Sequence, residues 1–146
     1  MRIILLCLLV FFAVQVNAQG YSQVKWDFSG RKTKNSAELI LKATIEKGWH
    51  VYSQHLKGDG PIPTQFTFQL PKGVKKAGET KEPEPIKHFD QNFGMNVLYF
   101  EKEVEFTQEL KGKITGAMVV TGQVTYMICN DEMCYPPVDV AFEIKL

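Results

Sequence analysis

Apolar and polar residues alternate at period two along most of this chain, the pattern of strands with one face buried and one face in water. Leu39, Leu41, Ala43 and Ile45 alternate with Glu38, Lys42, Thr44 and Glu46, interrupted only by Ile40. Phe66, Phe68 and Leu70 alternate with Thr67 and Gln69. Leu98, Phe100, Val104 and Phe106 share one parity, and Glu101, Glu103 and Glu105 the other. Val138, Val140, Phe142, Ile144 and Leu146 stand against Asp139, Glu143 and Lys145. Turn signals punctuate these runs: Ser29-Gly30, Lys47-Gly48, Gly58-Asp59-Gly60-Pro61, Pro71-Lys72-Gly73, Asn92-Phe93-Gly94 and Lys111-Gly112. Seven or eight short strands so divided predict an all-β chain, an antiparallel β-sandwich of immunoglobulin-like class. No segment after Ala18 carries the amphipathic stripe a helical alternative needs.

The first 18 residues read differently. Arg2 supplies a positive charge, Ile3 to Val14 is an unbroken apolar run, and Val16-Asn17-Ala18 ends in small residues. That order predicts a cleaved signal peptide over 1–18 and one exported domain over 19–146. The apolar run is too short for a helix spanning a bilayer core of roughly 30 Å. The sequence holds 17 Lys and Arg against 16 Asp and Glu, and losing Arg2 balances them. With no basic block, nucleic acid is not expected as a partner.

Other constellations have ordinary readings. Lys75 to Asp90, with Pro83 and Pro85, predicts a long surface connection. Glu82 and Glu84 read as solvated charges on it. His50, His55 and His88 lack the paired spacing of a zinc site, so no metal and no cofactor are expected. Trp26, Trp49, Tyr52 and Phe66 read as core and sheet aromatics. Gly58-Asp59-Gly60 is a turn, since a phosphate cradle would need a following helix.

Cleavage removes Cys7 and leaves Cys129 and Cys134. Two cysteines in an exported chain predict one disulfide. They enclose Asn130-Asp131-Glu132-Met133, rich in turn formers, between a strand carrying Val124, Tyr126 and Ile128 and the last alternating run. The pair therefore sits at a hairpin tip. A closed loop of six residues contributes about 2 kcal/mol by loop entropy, little for a staple. A tip is also open to attack by another thiolate. Asp131 and Glu132 oppose a neighbouring thiolate, so the sequence activates neither cysteine. Pro136-Pro137 stiffens the exit from the loop. Spacing alone leaves both a structural staple and an exchanging pair open.

The stretch Val124-Thr125-Tyr126-Met127-Ile128-Cys129-Asn130-Asp131-Glu132-Met133-Cys134-Tyr135-Pro136-Pro137 resembles the active-site hairpin of the N-terminal periplasmic domain of the thiol:disulfide interchange protein DsbD. Gly48-Trp49-His50-Val51-Tyr52 resembles that family's early aromatic strand, and Asp90-Gln91-Asn92-Phe93-Gly94 its cap loop. The resemblance covers Gln19 to Leu146. It implies a periplasmic immunoglobulin-like domain that relays electrons by disulfide exchange, with thioredoxin-like periplasmic proteins as partners. By position, Cys134 would form the mixed disulfides and Cys129 would close the intramolecular bond. Phe93, with Asp90 at the start of its loop, would shield the disulfide, and Tyr52 and Tyr135 would be the aromatics near it.

The chain departs from the family in four places. It ends one strand past the cysteines, so either a separate membrane electron-transfer protein is the expected donor or the chain has another task. Its cysteine loop is one residue shorter than in the best-known members. His50 stands where tyrosine is common and Gln91 where an acid is common, so neither a tyrosine pair nor a paired acid carries over. Two other functions compete with exchange: an immunoglobulin-like binding module whose disulfide is purely structural, and an assembly or chaperone-type partner domain.

Overall fold

In the computed structural model, which describes residues 20–33 and 35–146, ten strands follow one another. They are β1 (Val24–Lys32), β2 (Ser36–Ile45), β3 (His50–Tyr52), β4 (Gln65–Gln69), β5 (Val74–Lys76), β6 (Ile86–Asp90), β7 (Met95–Phe100), β8 (Glu103–Gly112), β9 (Val119–Cys129) and β10 (Cys134–Lys145). The expected signal peptide, Met1–Ala18, lies outside the described residues. Two sheets form, one in the order β1-β2-β8-β5, the other in the order β10-β9-β3-β7-β6 with β4 also on β9. Every strand pairing is antiparallel. This is the expected immunoglobulin-like sandwich, with more strands than the alternation revealed.

The core lies between the sheets. Leu39, Leu41 and Ala43 of β2 and Phe106 and Leu110 of β8 face Val120, Val124, Tyr126 and Ile128 of β9, with Val51 and Phe100. Burying side chains of this size contributes roughly 1.5–3 kcal/mol each, which sets the sandwich as the stable unit. Trp26 of β1 joins them, packed against Phe28, Phe66, Phe106 and Tyr126.

Three sequence expectations need correction. Ser29-Gly30 is not a turn: both residues lie inside β1, paired with Ile40 and Leu39. A side chain at Gly30 would collide with Ile144 and Leu146, so the glycine permits a close approach rather than a reversal. The run from Leu98 to Phe106 is not one strand. It breaks at Glu101-Lys102, where Lys102 takes φ +64° and the chain passes from one sheet to the other. Parity is kept across that crossing, which hides it from a pattern reading.

The third correction concerns Lys75 to Asp90, which is no featureless connection. Its ends belong to β5 and β6, and Lys81 bridges Thr107 of β8. Buried Gln108 accepts from the Thr80 hydroxyl at 2.8 Å and donates to the Gly78 carbonyl at 3.2 Å. Glu82 is not a solvated charge. Its carboxylate accepts from the Ser53 hydroxyl and, at 2.9 Å, from the Gln54 amide just after β3. Polar side chains, which leave no hydrophobic signature, fasten this segment and fix where β6 begins.

Candidate functional site

The six-stranded sheet has a second populated face. Because side chains alternate along a strand, the residues that put Val51, Phe100 and Ile128 into the core turn their neighbours outward. His50 and Tyr52 on β3, Val97 and Tyr99 on β7, and Cys129 on β9 share that outer face. Cross-strand pairing places His50 opposite Cys129 and Tyr52 opposite Tyr99. Tyr52, Val97, Tyr99 and Cys129 form a small buried cluster outside the sandwich, with Leu56, Phe93, Met95, Met127 and Cys134 packed around it.

Cys129 and Cys134 are register partners at the end of the β9–β10 hairpin and form a disulfide, their Cα atoms 4.1 Å apart. The loop between them is held by Asn130, whose side-chain oxygen accepts from the amides of Glu132 and Met133 at 2.9 and 2.8 Å. Its own amide donates to the Met133 carbonyl at 2.9 Å. Asx turns of this kind explain why four residues suffice. Pro136-Pro137 falls at a register shift on edge strand β10, a position that tolerates two missing donors. The two sulfurs differ in access: Cys129 is fully buried and Cys134 is partly exposed. Met133 beside Cys134 is 48% exposed.

The β6–β7 hairpin reaches over this disulfide, and Asp90 organises it. Asp90 is only 5% exposed. Its Oδ1 accepts from the amides of Asn92 and Phe93 at 2.8 and 3.3 Å, and its Oδ2 accepts from the Tyr52 hydroxyl at 2.6 Å. Gly94 closes the turn with φ +64°, which glycine adopts without steric cost. Phe93 packs edge-on to Tyr52, ring centres 6.3 Å apart, within the cluster that holds both cysteines. Asn92 then crosses to the cysteine loop, its side-chain amide donating to the Asn130 carbonyl at 3.0 Å.

His50 completes the buried layer. Its Nε2 lies 3.3 Å from the Tyr52 oxygen and 3.8 Å from Asp90 Oδ2, and its ring lies against Tyr99 at 4.4 Å. Burial holds its pKa below the ordinary histidine value, partly offset by Asp90. Burial, with the hydrogen bond to Asp90, pushes the Tyr52 hydroxyl well above the usual phenol range, so it stays a donor. Beside them a cavity of about 270 Å³ opens between the two hairpins, lined by His50, His88, Tyr99, Glu101, Asn130 and Asp131 among others.

Of the residues singled out in the sequence, Cys129, Cys134, Phe93, Asp90 and Tyr52 come together here. Tyr135 does not face the sulfurs' cluster. It stacks between Trp49 and Tyr21, at 5.0 and 4.8 Å, and anchors the outgoing strand from the sandwich side. His55 lines a different cavity from His50 and His88. Among the described residues no group of three His, Cys, Asp or Glu could hold a metal ion. The Asn92–Asn130 contact had no sequence signal, since it joins two loops 38 residues apart. In the sequence His50 stands out only as a histidine without zinc-site spacing and as a departure from the family pattern.

Known proteins share the family and the fold. The model of the family described as "Thiol:disulfide interchange protein DsbD, N-terminal" matches residues 18–146. The N-terminal domain of DsbD from Neisseria meningitidis, in its reduced form, is similar at TM-score 0.55 and 16% identity, over 78% of this chain and 79% of that one. The complex between the DsbD and PilB N-terminal domains of Neisseria meningitidis gives a match at TM-score 0.58 and 15% identity, over 84% of this chain and 82% of that one. The N-terminal periplasmic domain of ScsB from Proteus mirabilis matches at TM-score 0.57 and 18% identity, over 84% of this chain and 44% of that one. No curated protein sequence matches the chain.

Proposed function

The chain belongs to the family of DsbD N-terminal domains, and on that premise we propose that it is a periplasmic thiol–disulfide exchange module working through Cys129 and Cys134. It relays electrons from a membrane electron-transfer protein, by way of thioredoxin-like periplasmic partners, to oxidised proteins. The leader Met1–Ala18 exports it. Cys134 bonds to partners, Cys129 resolves, Phe93 shields the pair, and Asp90 holds the shielding loop.

One observation carries the reading: the bond joins a fully buried sulfur to a partly exposed one, at a tip covered by a second hairpin. A staple has little to do there, because β9 and β10 are already paired along their length. A carrier needs this asymmetry. One sulfur must meet the partner, and the other must stay out of reach until the mixed disulfide forms. The complex of the Neisseria meningitidis DsbD domain with a PilB domain supports a protein as the exchange partner here.

Equilibrating the protein with dithiothreitol redox buffers tests the reading. A reduction potential more oxidising than about −300 mV is expected, and a lower one would make the bond structural.

A further inference from the structure

A carrier that hands on electrons must form its own disulfide quickly, and the attacking sulfur, Cys129, is fully buried. Ionising a thiol in apolar surroundings is costly, so that step needs a proton acceptor beside it. We infer that His50 is this acceptor, the base that takes the Cys129 proton, with Tyr52 and Asp90 as its positioning residues. The inference rests on the exchange function proposed above.

Placement comes from the sheet. His50 and Cys129 are directly opposed on adjacent antiparallel strands, and side chains so paired stand on one face with Cβ atoms roughly 4.5–5.5 Å apart. The orientation comes from hydrogen bonding. A carboxylate can only accept, so the Tyr52 hydroxyl donates to Asp90 Oδ2 at 2.6 Å, the shorter and charge-assisted bond. The Tyr52 oxygen is then free to accept, and at 3.3 Å it accepts a hydrogen bond from the N–H of His50 Nε2. That assigns the tautomer and leaves Nδ1 with its lone pair, bearing no hydrogen bond among the described residues. Tyr52, Tyr99, Asp90, Glu101, Asp131 and His88 are the titratable groups around the ring. Burial outweighs the acids among them, so the imidazole is neutral, and able to accept, at neutral pH.

The chemistry balances. The Cys134 thiolate attacks the partner's disulfide, forming a mixed disulfide and releasing one partner thiolate. Cys129 then passes its proton to His50 Nδ1, and its thiolate attacks the Cys134 sulfur. The Cys129–Cys134 bond forms, the Cys134–partner bond breaks, and the second partner sulfur leaves with the electron pair. The imidazolium returns its proton to that thiolate or to water in the adjoining cavity. Two electrons pass from this domain to the partner, together with the Cys129 proton when the imidazolium protonates that second thiolate.

Dithiobis(nitrobenzoate) separates the two steps, because the reduced protein releases one thionitrobenzoate when Cys134 reacts and a second when Cys129 resolves. The second phase in the unaltered protein is expected to rise with pH and level off below pH 7, following His50. In His50→Gln it should slow by about a hundredfold at pH 7, the order general-base catalysis contributes, and rise through the ordinary thiol range instead. The first phase should not change. A His50→Gln second phase with unaltered rate and pH profile would overturn the role of His50 alone. If that variant does not fold, the unaltered protein decides, since a second phase without levelling below pH 7 overturns the role equally. No second phase in the unaltered protein would overturn the exchange function, and this step with it.

Discussion

The side-chain amide of Asn92 donates to the backbone carbonyl of Asn130 over 3.0 Å, tying the tip of the β6–β7 hairpin to the loop between the two cysteines. Neither residue is chemically reactive, yet this contact joins the loop proposed to shield the sulfurs to the loop that carries them. Because it is exposed, it can open and close at a modest cost, about 1 kcal/mol for one neutral hydrogen bond.

Loosening that cover should speed attack by a small thiol. Asn92→Ala should raise the rate of disulfide reduction by dithiothreitol by about fivefold, the equivalent of roughly 1 kcal/mol. Phe93→Ala should raise it further, since it removes the ring packed edge-on to Tyr52 in the cluster around Cys129. Equal rates in both variants and the unaltered protein would place the shield elsewhere.

Tyr52→Phe should destabilise the domain by about 1–3 kcal/mol, because Asp90 Oδ2 stays buried and loses its 2.6 Å donor. Denaturant unfolding measures this. A variant as stable as the parent would mean that Asp90 has another partner for that oxygen.

Removing the disulfide should cost little. Cys129→Ser with Cys134→Ser opens a ring of six residues and should lose about 2 kcal/mol, leaving a cooperative unfolding transition. The core between the sheets makes no use of either sulfur. A double variant that cannot fold would identify the bond as a staple.

Acid should weaken the fold through His50. Its folded-state pKa lies below the unfolded value of 6.5, so the unfolded chain binds the proton first. That contribution is fully present above pH 6.5, and is lost as pH falls from 6.5 toward the lowered folded value. Urea unfolding from pH 8 to pH 5 should show the loss, and His50→Gln should show less of it. Identical pH dependence in the two proteins would contradict the burial-driven shift.

Much of this is legible in the sequence. Alternation in Leu39–Ile45 and Val138–Leu146 gave the sandwich, because one buried face leaves a period of two. The cysteine hairpin was legible for the same reason, with Asn130-Asp131 marking its turn. β3 was visible only through the family resemblance of Gly48 to Tyr52, because all three of its residues are buried and three residues carry no period. Its central Val51 enters the sandwich while His50 and Tyr52 enter the outer cluster. A strand buried on both faces shows no alternation. The 75–90 segment was misread because Gln108, Glu82 and Ser53 fasten it, and polar side chains look solvent-exposed in a sequence. Asp90 was visible only as part of a motif. Its two-sided role, binding loop amides with one oxygen and Tyr52 with the other, exists only in three dimensions.

The trapping of partners by single cysteine variants tests the exchange function most directly. Exchange needs one sulfur to bond the partner and the other to release it, and the partly exposed Cys134 and buried Cys129 suit those two tasks. Each of Cys129→Ser and Cys134→Ser would be expressed in a bacterial periplasm, and non-reducing gels read with mass spectrometry of the bands. Cys129→Ser should accumulate mixed disulfides through Cys134, and Cys134→Ser few or none. Equal trapping by both would contradict the division of roles, and none by either would contradict exchange itself.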